Sequence, residues 1–128
     1  YLPDFKYWSP EMAAKYSSEA YNYPHYAKIA LKEMFRQVGD LVTDGRGIAR
    51  RGLMLRHLIL PNRIAGTEEV LRFVAENLSK TTYINLMRQY RPEHRAPEFK
   101  EINRRIMTSE YSEALGWARK YGLTRLDK

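Results

Sequence analysis

The sequence has no cysteine. Disulfides, thiolate nucleophiles and cysteine-held zinc or iron–sulfur centres therefore find no ligands in these 128 residues. Histidine is scarce as well. His25, His57 and His94 lie too far apart for the short spacings that build a zinc site. No apolar run approaches the roughly 20 residues of a membrane span, and no basic-then-apolar leader opens the chain, so the cytoplasm is the expected compartment. A glycine-rich phosphate loop, a Ser/His/Asp order and a paired-acid constellation are also missing. Repeats and low-complexity segments are absent too.

What is present is the composition of a globular domain, 44% hydrophobic and 29% charged. One domain's worth of chain is long enough for a modest core. The formal charge of +7 favours an anionic partner and says nothing of fold.

Ser9-Pro10 predicts the start of a short helix through about Tyr16, with serine as cap and proline in the first turn. A second helix is predicted from Pro24, with Tyr26, Ile29, Ala30, Met34 and Val38 inward and Gly39 just past its end. Asp44-Gly45 between short β-prone runs predicts a hairpin in residues 41–50. GLMLRHLILP, residues 52–61, is almost continuously apolar and ends at Pro61. Strands of a parallel sheet, buried on both faces, read this way. Thr67 with Glu68 and Glu69 marks a helix start, Val70, Leu71, Val74 and Leu78 tracing its inner face. TTYINLMRQYRP, residues 81–92, is a third strand. A short helix around 99–105 follows, then a last helix capped by Thr108 with Tyr111, Leu115 and Ala118 inward, closed by Gly122. Residues 123–127 open a fourth strand.

Strands are thus expected near 1–6, 53–60, 82–88 and 124–126, alternating with helices. The fold class is α/β: a partial (β/α) barrel fragment with parallel strands and a small β-hairpin insertion, since three crossovers do not close an eight-stranded barrel.

In such strands a charge is costly unless paired or held by a ligand. Arg56 shares a face with Met54, Leu58 and Leu60. Asn85 and Gln89 share one with Tyr83 and Met87, and Asp4 and Lys6 share one with Leu2. Ligands of α/β folds bind at the carboxyl ends of strands, so these residues converge either on one site or merely on an internal Asp4–Arg56 ion pair. His57 points the other way and reads as a hydrogen-bonded core histidine.

The ordered phrases DFK (4–6), RQVGDLV, GIARRGLMLRHLILP and TYINLMRQYRP resemble the carboxyl-terminal part of radical S-adenosylmethionine proteins, in the branch related to pyruvate formate-lyase activating enzymes. The resemblance implies a partial (β/α)₆ barrel of which residues 1–128 are the carboxyl-terminal half. It implies a [4Fe–4S] cluster held by cysteines upstream of Tyr1, and S-adenosylmethionine as cofactor. By the resemblance Asp4 and Lys6 line the cofactor pocket, Arg56 reaches the methionine carboxylate, and Gln89, nearest to a position that activating enzymes commonly fill with histidine, is a fourth cofactor-binding residue projecting into the same cavity. The partners implied are the missing amino-terminal half and a glycyl radical enzyme or other substrate. The chain alone is then inactive and prone to self-association through its open face. Two other classes compete: a small basic nucleic-acid-binding module, suggested by the charge and by tyrosine-rich YSSEAYNYPHY, and a non-catalytic adaptor.

Overall fold

The computed structural model describes residues 1–127; Lys128, the last residue of the expected 1–128 domain, lies outside them. Among the described residues four α-helices and four short strands follow in the order α1 (Pro10–Tyr16), α2 (Tyr23–Val38), β1 (Val42–Thr43), β2 (Ala49–Arg51), β3 (Met54–Leu58), α3 (Thr67–Asn77), β4 (Tyr83–Met87) and α4 (Thr108–Lys120). The architecture is mixed α/β with a two-stranded antiparallel ribbon, β1–β2, and a two-stranded parallel sheet, β3–β4. Among the described residues no barrel closes.

The parallel sheet is wider than its two formal strands. Extended segments pair with both of its edges through single parallel bridges, Asp4 with Arg56 and Leu126 with Ile84. Arg56 N–H donates to the Pro3 carbonyl at 2.9 Å and Phe5 N–H to the Arg56 carbonyl at 3.0 Å. On the far edge Ile84 N–H donates to Arg125 C=O and Asp127 N–H to Ile84 C=O, each at 2.9 Å. The order across the sheet therefore follows the sequence: segment 1–5, β3, β4, segment 125–127. The expected outer strands exist as paired backbone rather than as full ladders. Pro3 lacks an N–H, which limits the pairing of the first.

Both inner strands alternate half-buried and buried residues, because side chains along a strand point to opposite faces. One face carries Phe5, Leu53, Leu55, Ile59, Ile84 and Leu86, packed against Leu31 of α2, Val70, Leu71 and Val74 of α3, and Ala114 and Ala118 of α4. That is the hydrophobic core. The other face has no helix layer over it. The continuous apolar run that reads as burial on both sides is thus buried on one side only.

Three local readings are corrected. Tyr26 and Ile29, expected inward on α2, are 64% and 53% exposed. The helix is rotated so that Leu31 is buried, with Tyr23, Ala27, Met34, Phe35 and Val38 packed on the core. The helix expected at 99–105 is replaced by two 3₁₀ turns, Ala96–Glu98 and Lys100–Ile102. Pro97 and the extended Phe99 between them prevent a continuous α-helical ladder. Thr67 and Thr108 do not cap their helices; Gly66 and Met107 occupy those positions. Gly66 sits at φ +68°, and a Cβ there would meet the Trp8 Cβ at 2.5 Å, so only glycine fits. Freed from capping, the Thr67 hydroxyl turns to His57.

The ribbon is where the hairpin is expected. Asp44 accepts from the N–H groups of Arg46 and Ile48 and holds Arg50. At its base Gly52 takes φ +104°, with the Asp40 carbonyl 2.2 Å from where a Cβ would stand.

Candidate functional site

The open face of the sheet carries one polar row. Asp4 is level with Arg56, and Arg56 with Asn85. One step beyond the Ile84–Leu126 bridge, Asp127 falls level with Asn85. Hydrophobic rows flank it, Leu2 and Met54 with Tyr83 on one side, Leu58 with Met87 on the other. Arg125 lies against the Tyr83 ring, 5.3 Å from its centroid.

Within the row, Arg56 Nε donates to Asp4 Oδ1 at 2.7 Å. The side chains are 41% and 29% exposed, so the pair is wet enough to open at small cost. Among the described residues the two Nη groups of Arg56 bond to nothing else.

Just past this row, at the carboxyl ends of the strands, is a cavity of about 310 Å³. Asp4, Lys6 and Tyr7 line it from the amino-terminal segment, Leu58 from the end of β3 and Leu60 from just beyond it, Met87 from the end of β4 and Tyr90 from the turn that follows. Backbone geometry around Asp4 is fixed by Tyr23 of α2. Its hydroxyl donates to the Asp4 carbonyl and accepts from Lys6 N–H, both at 3.0 Å. Burial pushes the Tyr23 phenol pKa up, opposed by the Lys6 N–H, so the phenol stays protonated and can donate. Ser17 Oγ donates to the Tyr7 hydroxyl at 3.2 Å.

The structure brings Asp4, Lys6 and Arg56 into one neighbourhood, Asp4 and Lys6 on the cavity wall and Arg56 behind Asp4. Gln89 stands apart. It is exposed and lines a separate depression with Arg88, Arg105 and Tyr111. β4 ends at Met87, so the alternation that carries Gln89 onto Met87's face stops before reaching it. Tyr7, Tyr23 and Tyr90 are the residues that sequence reasoning missed. For Tyr7 and Tyr90 the available signal was a tyrosine two or three residues beyond a strand end; Tyr23, the first residue of α2, carried no such signal.

His57 lies on the helix side, fully buried. Nδ1–H donates to the Phe5 carbonyl at 2.6 Å, and Nε2 accepts from the Thr67 hydroxyl at 2.9 Å. Burial pushes its pKa down to about 4, against the opposing pull of the Phe5 carbonyl. It is a structural link between the first segment, β3 and α3.

The arginines form no single basic stripe. Arg36, Arg50, Arg63, Arg95 and Arg104 each pair with a nearby carboxylate on different parts of the surface.

No family model matches the chain, and no solved structure matches it. It is similar to the uncharacterized protein MJ0674 of Methanocaldococcus jannaschii, 33% identical over 124 residues. That alignment takes in 96% of this chain and 32% of the relative, so the chain spans about a third of the relative's length. No helix among the described residues is long and apolar enough to cross a membrane.

Proposed function

We propose that this chain is the later half of a radical S-adenosylmethionine (β/α) barrel and supplies the wall against which S-adenosylmethionine binds. One observation carries the reading: a half-exposed Asp4–Arg56 pair on the open face of a sequentially ordered parallel sheet, beside a cavity at the strands' carboxyl ends. The ordered phrases DFK, RQVGDLV, GIARRGLMLRHLILP and TYINLMRQYRP support it.

The residues suit the amino-acid end of this cofactor. A carboxylate meets the two Nη groups of Arg56 while Nε stays on Asp4, a charge-assisted geometry that lysine does not reproduce. Asp4 accepts from the α-ammonium. Lys6 adds a second cation at the mouth, and Tyr23 holds the Asp4–Lys6 backbone still. Leu58, Leu60 and Met87 exclude water from one side of the cavity.

When bound together with a reducing iron–sulfur cluster, the cofactor supplies a 5′-deoxyadenosyl radical for hydrogen abstraction. The cluster does not fit this chain: cysteine is absent, and no group of three or more metal-ligating side chains forms among the described residues. Its ligands belong to the longer protein, along with the remaining strands of a (β/α)₆ barrel. A glycyl radical enzyme or a small molecule is the hydrogen donor in this reading.

Calorimetric titration of S-adenosylmethionine into the complete protein tests the proposal. Arg56→Ala is expected to weaken binding by about 2 kcal/mol, roughly 30-fold, the worth of a hydrogen-bonded charge. Affinity indifferent to that loss overturns it.

A further inference from the structure

A second cavity, of about 250 Å³, adjoins the first and shares Tyr7, Leu60 and Tyr90 with it. We infer that this lobe binds the anionic end of an aromatic or similarly planar small molecule, the compound acted on next to the cofactor. The inference rests on the reading above for the neighbouring cavity and names the substrate class for it.

The floor is apolar and aromatic. Tyr16 and Phe99 meet edge to face with ring centroids 5.3 Å apart, beside buried Leu60 and Ile102. Flat rings and a few aliphatic side chains favour a planar body, which stacks or meets an edge.

Two arginines stand on the rim. Arg91 and Arg95 line the lobe, with His94 between them and Glu93 beside them. Both arginines hold carboxylates at present, Arg91 with Glu93 at 2.8 Å and Arg95 with Glu98 at 2.9 Å. These pairs are more than half exposed, so each is worth little and yields readily to a desolvated anion. Arginine's planar fork suits a carboxylate or a phosphate equally.

The rim is also held in place. His94 adopts φ +51°, Ala96 N–H closes the turn onto the Glu93 carbonyl at 2.9 Å, and the Tyr90 hydroxyl donates to the Ile102 carbonyl at 2.9 Å. Pro92 and Pro97 stiffen the segment further. A preorganised rim loses less entropy when it closes on a ligand.

The test uses three probes on the complete protein: 2-naphthoate, its phosphate counterpart 2-naphthyl phosphate, and the charge-reversed 2-naphthylmethylammonium. Both anions are expected to bind and the ammonium to bind at least tenfold more weakly. The double variant Arg91→Gln/Arg95→Gln should weaken the anions tenfold or more while leaving S-adenosylmethionine affinity unchanged. Chemical-shift changes on adding 2-naphthoate should centre on Tyr16, Tyr90 and Phe99. Which anion binds more tightly separates a carboxylate substrate from a phosphate one. Equal binding of anion and ammonium, or anion binding that ignores the double variant, overturns the inference. S-adenosylmethionine binding that depends on Arg56 alongside that result would leave the cofactor reading intact. Loss of S-adenosylmethionine binding with arginine-dependent 2-naphthoate binding would do the reverse.

Discussion

Arg56 and Asp4 lie side by side on neighbouring parallel segments and join through Nε and Oδ1 at 2.7 Å, on the one face of the sheet that no helix covers. An ion pair in that position contributes little to folding and leaves most of the guanidinium for a ligand.

Asp4→Asn should therefore separate stability from binding. Urea denaturation is expected to show a loss of only about 0.5–1 kcal/mol. S-adenosylmethionine affinity is expected to fall about tenfold, because the ammonium loses its acceptor charge. A stability loss several times larger would identify the pair as a structural clamp instead.

Tyr23→Phe removes the hydroxyl that bonds both Asp4 C=O and Lys6 N–H. The expected cost is about 1–2 kcal/mol of stability, one or two ordinary hydrogen bonds. Amide exchange at Lys6 should accelerate relative to Phe5, whose N–H is held by the Arg56 carbonyl. Unchanged protection at Lys6 would remove Tyr23 from its positioning role.

His57 sets a pH dependence. It is neutral in the fold with a pKa near 4 and titrates near 6.5 once unfolded. The unfolded chain thus binds the extra proton between those values. This contribution to stability is complete above about pH 6.5 and declines as pH falls towards 4, by up to about 3 kcal/mol. Denaturation midpoints for wild type and His57→Gln across pH 4–7 check the sign. A wild-type curve no steeper than the variant's would contradict it.

Gly66→Ala combines a left-handed backbone with a contact to the Trp8 Cβ. The expected loss is about 2 kcal/mol or more by thermal unfolding, with intrinsic tryptophan fluorescence shifting as Trp8 moves. A neutral result would mean that the α3 entrance relaxes freely.

The middle of the sheet was the most legible part of this fold. Residues 54–58 and 83–87 lie in short, mostly apolar runs, one between Gly52 and Pro61 and the other stopped by Pro92, and both became strands. His57 was legible as a core histidine for the same reason: alternation puts it opposite Arg56. The helix faces were less so. Tyr26 and Ile29 fit a three-four spacing as well as Ala27 and Leu31 do, and the sheet's position, which no spacing encodes, chose the latter. Thr67 looked like a cap because cap chemistry is local, whereas its bond to His57 spans ten residues. At the site, Asp4 and Lys6 could be paired with Arg56 from strand period alone. Gln89 could not be placed, since period-two reasoning fails where the strand gives way to a turn. The tyrosines Tyr7 and Tyr90 enter the site from loops, whose course depends on packing rather than pattern.

The β1–β2 ribbon has a use as a handle. Glycines 45 and 47 at its tip have nothing within 4 Å of where a Cβ would stand, and its strands are exposed along their length. Its folding rests on Asp44, whose bonds stay within six residues of chain. The base of β2 shares a depression with Leu2 and Met54 of the open sheet face, whereas no ribbon residue lines either cavity at the carboxyl ends of the strands. A dye, a peptide tag or a protease site grafted at the tip is therefore a handle on the molecule that leaves both of those cavities unobstructed.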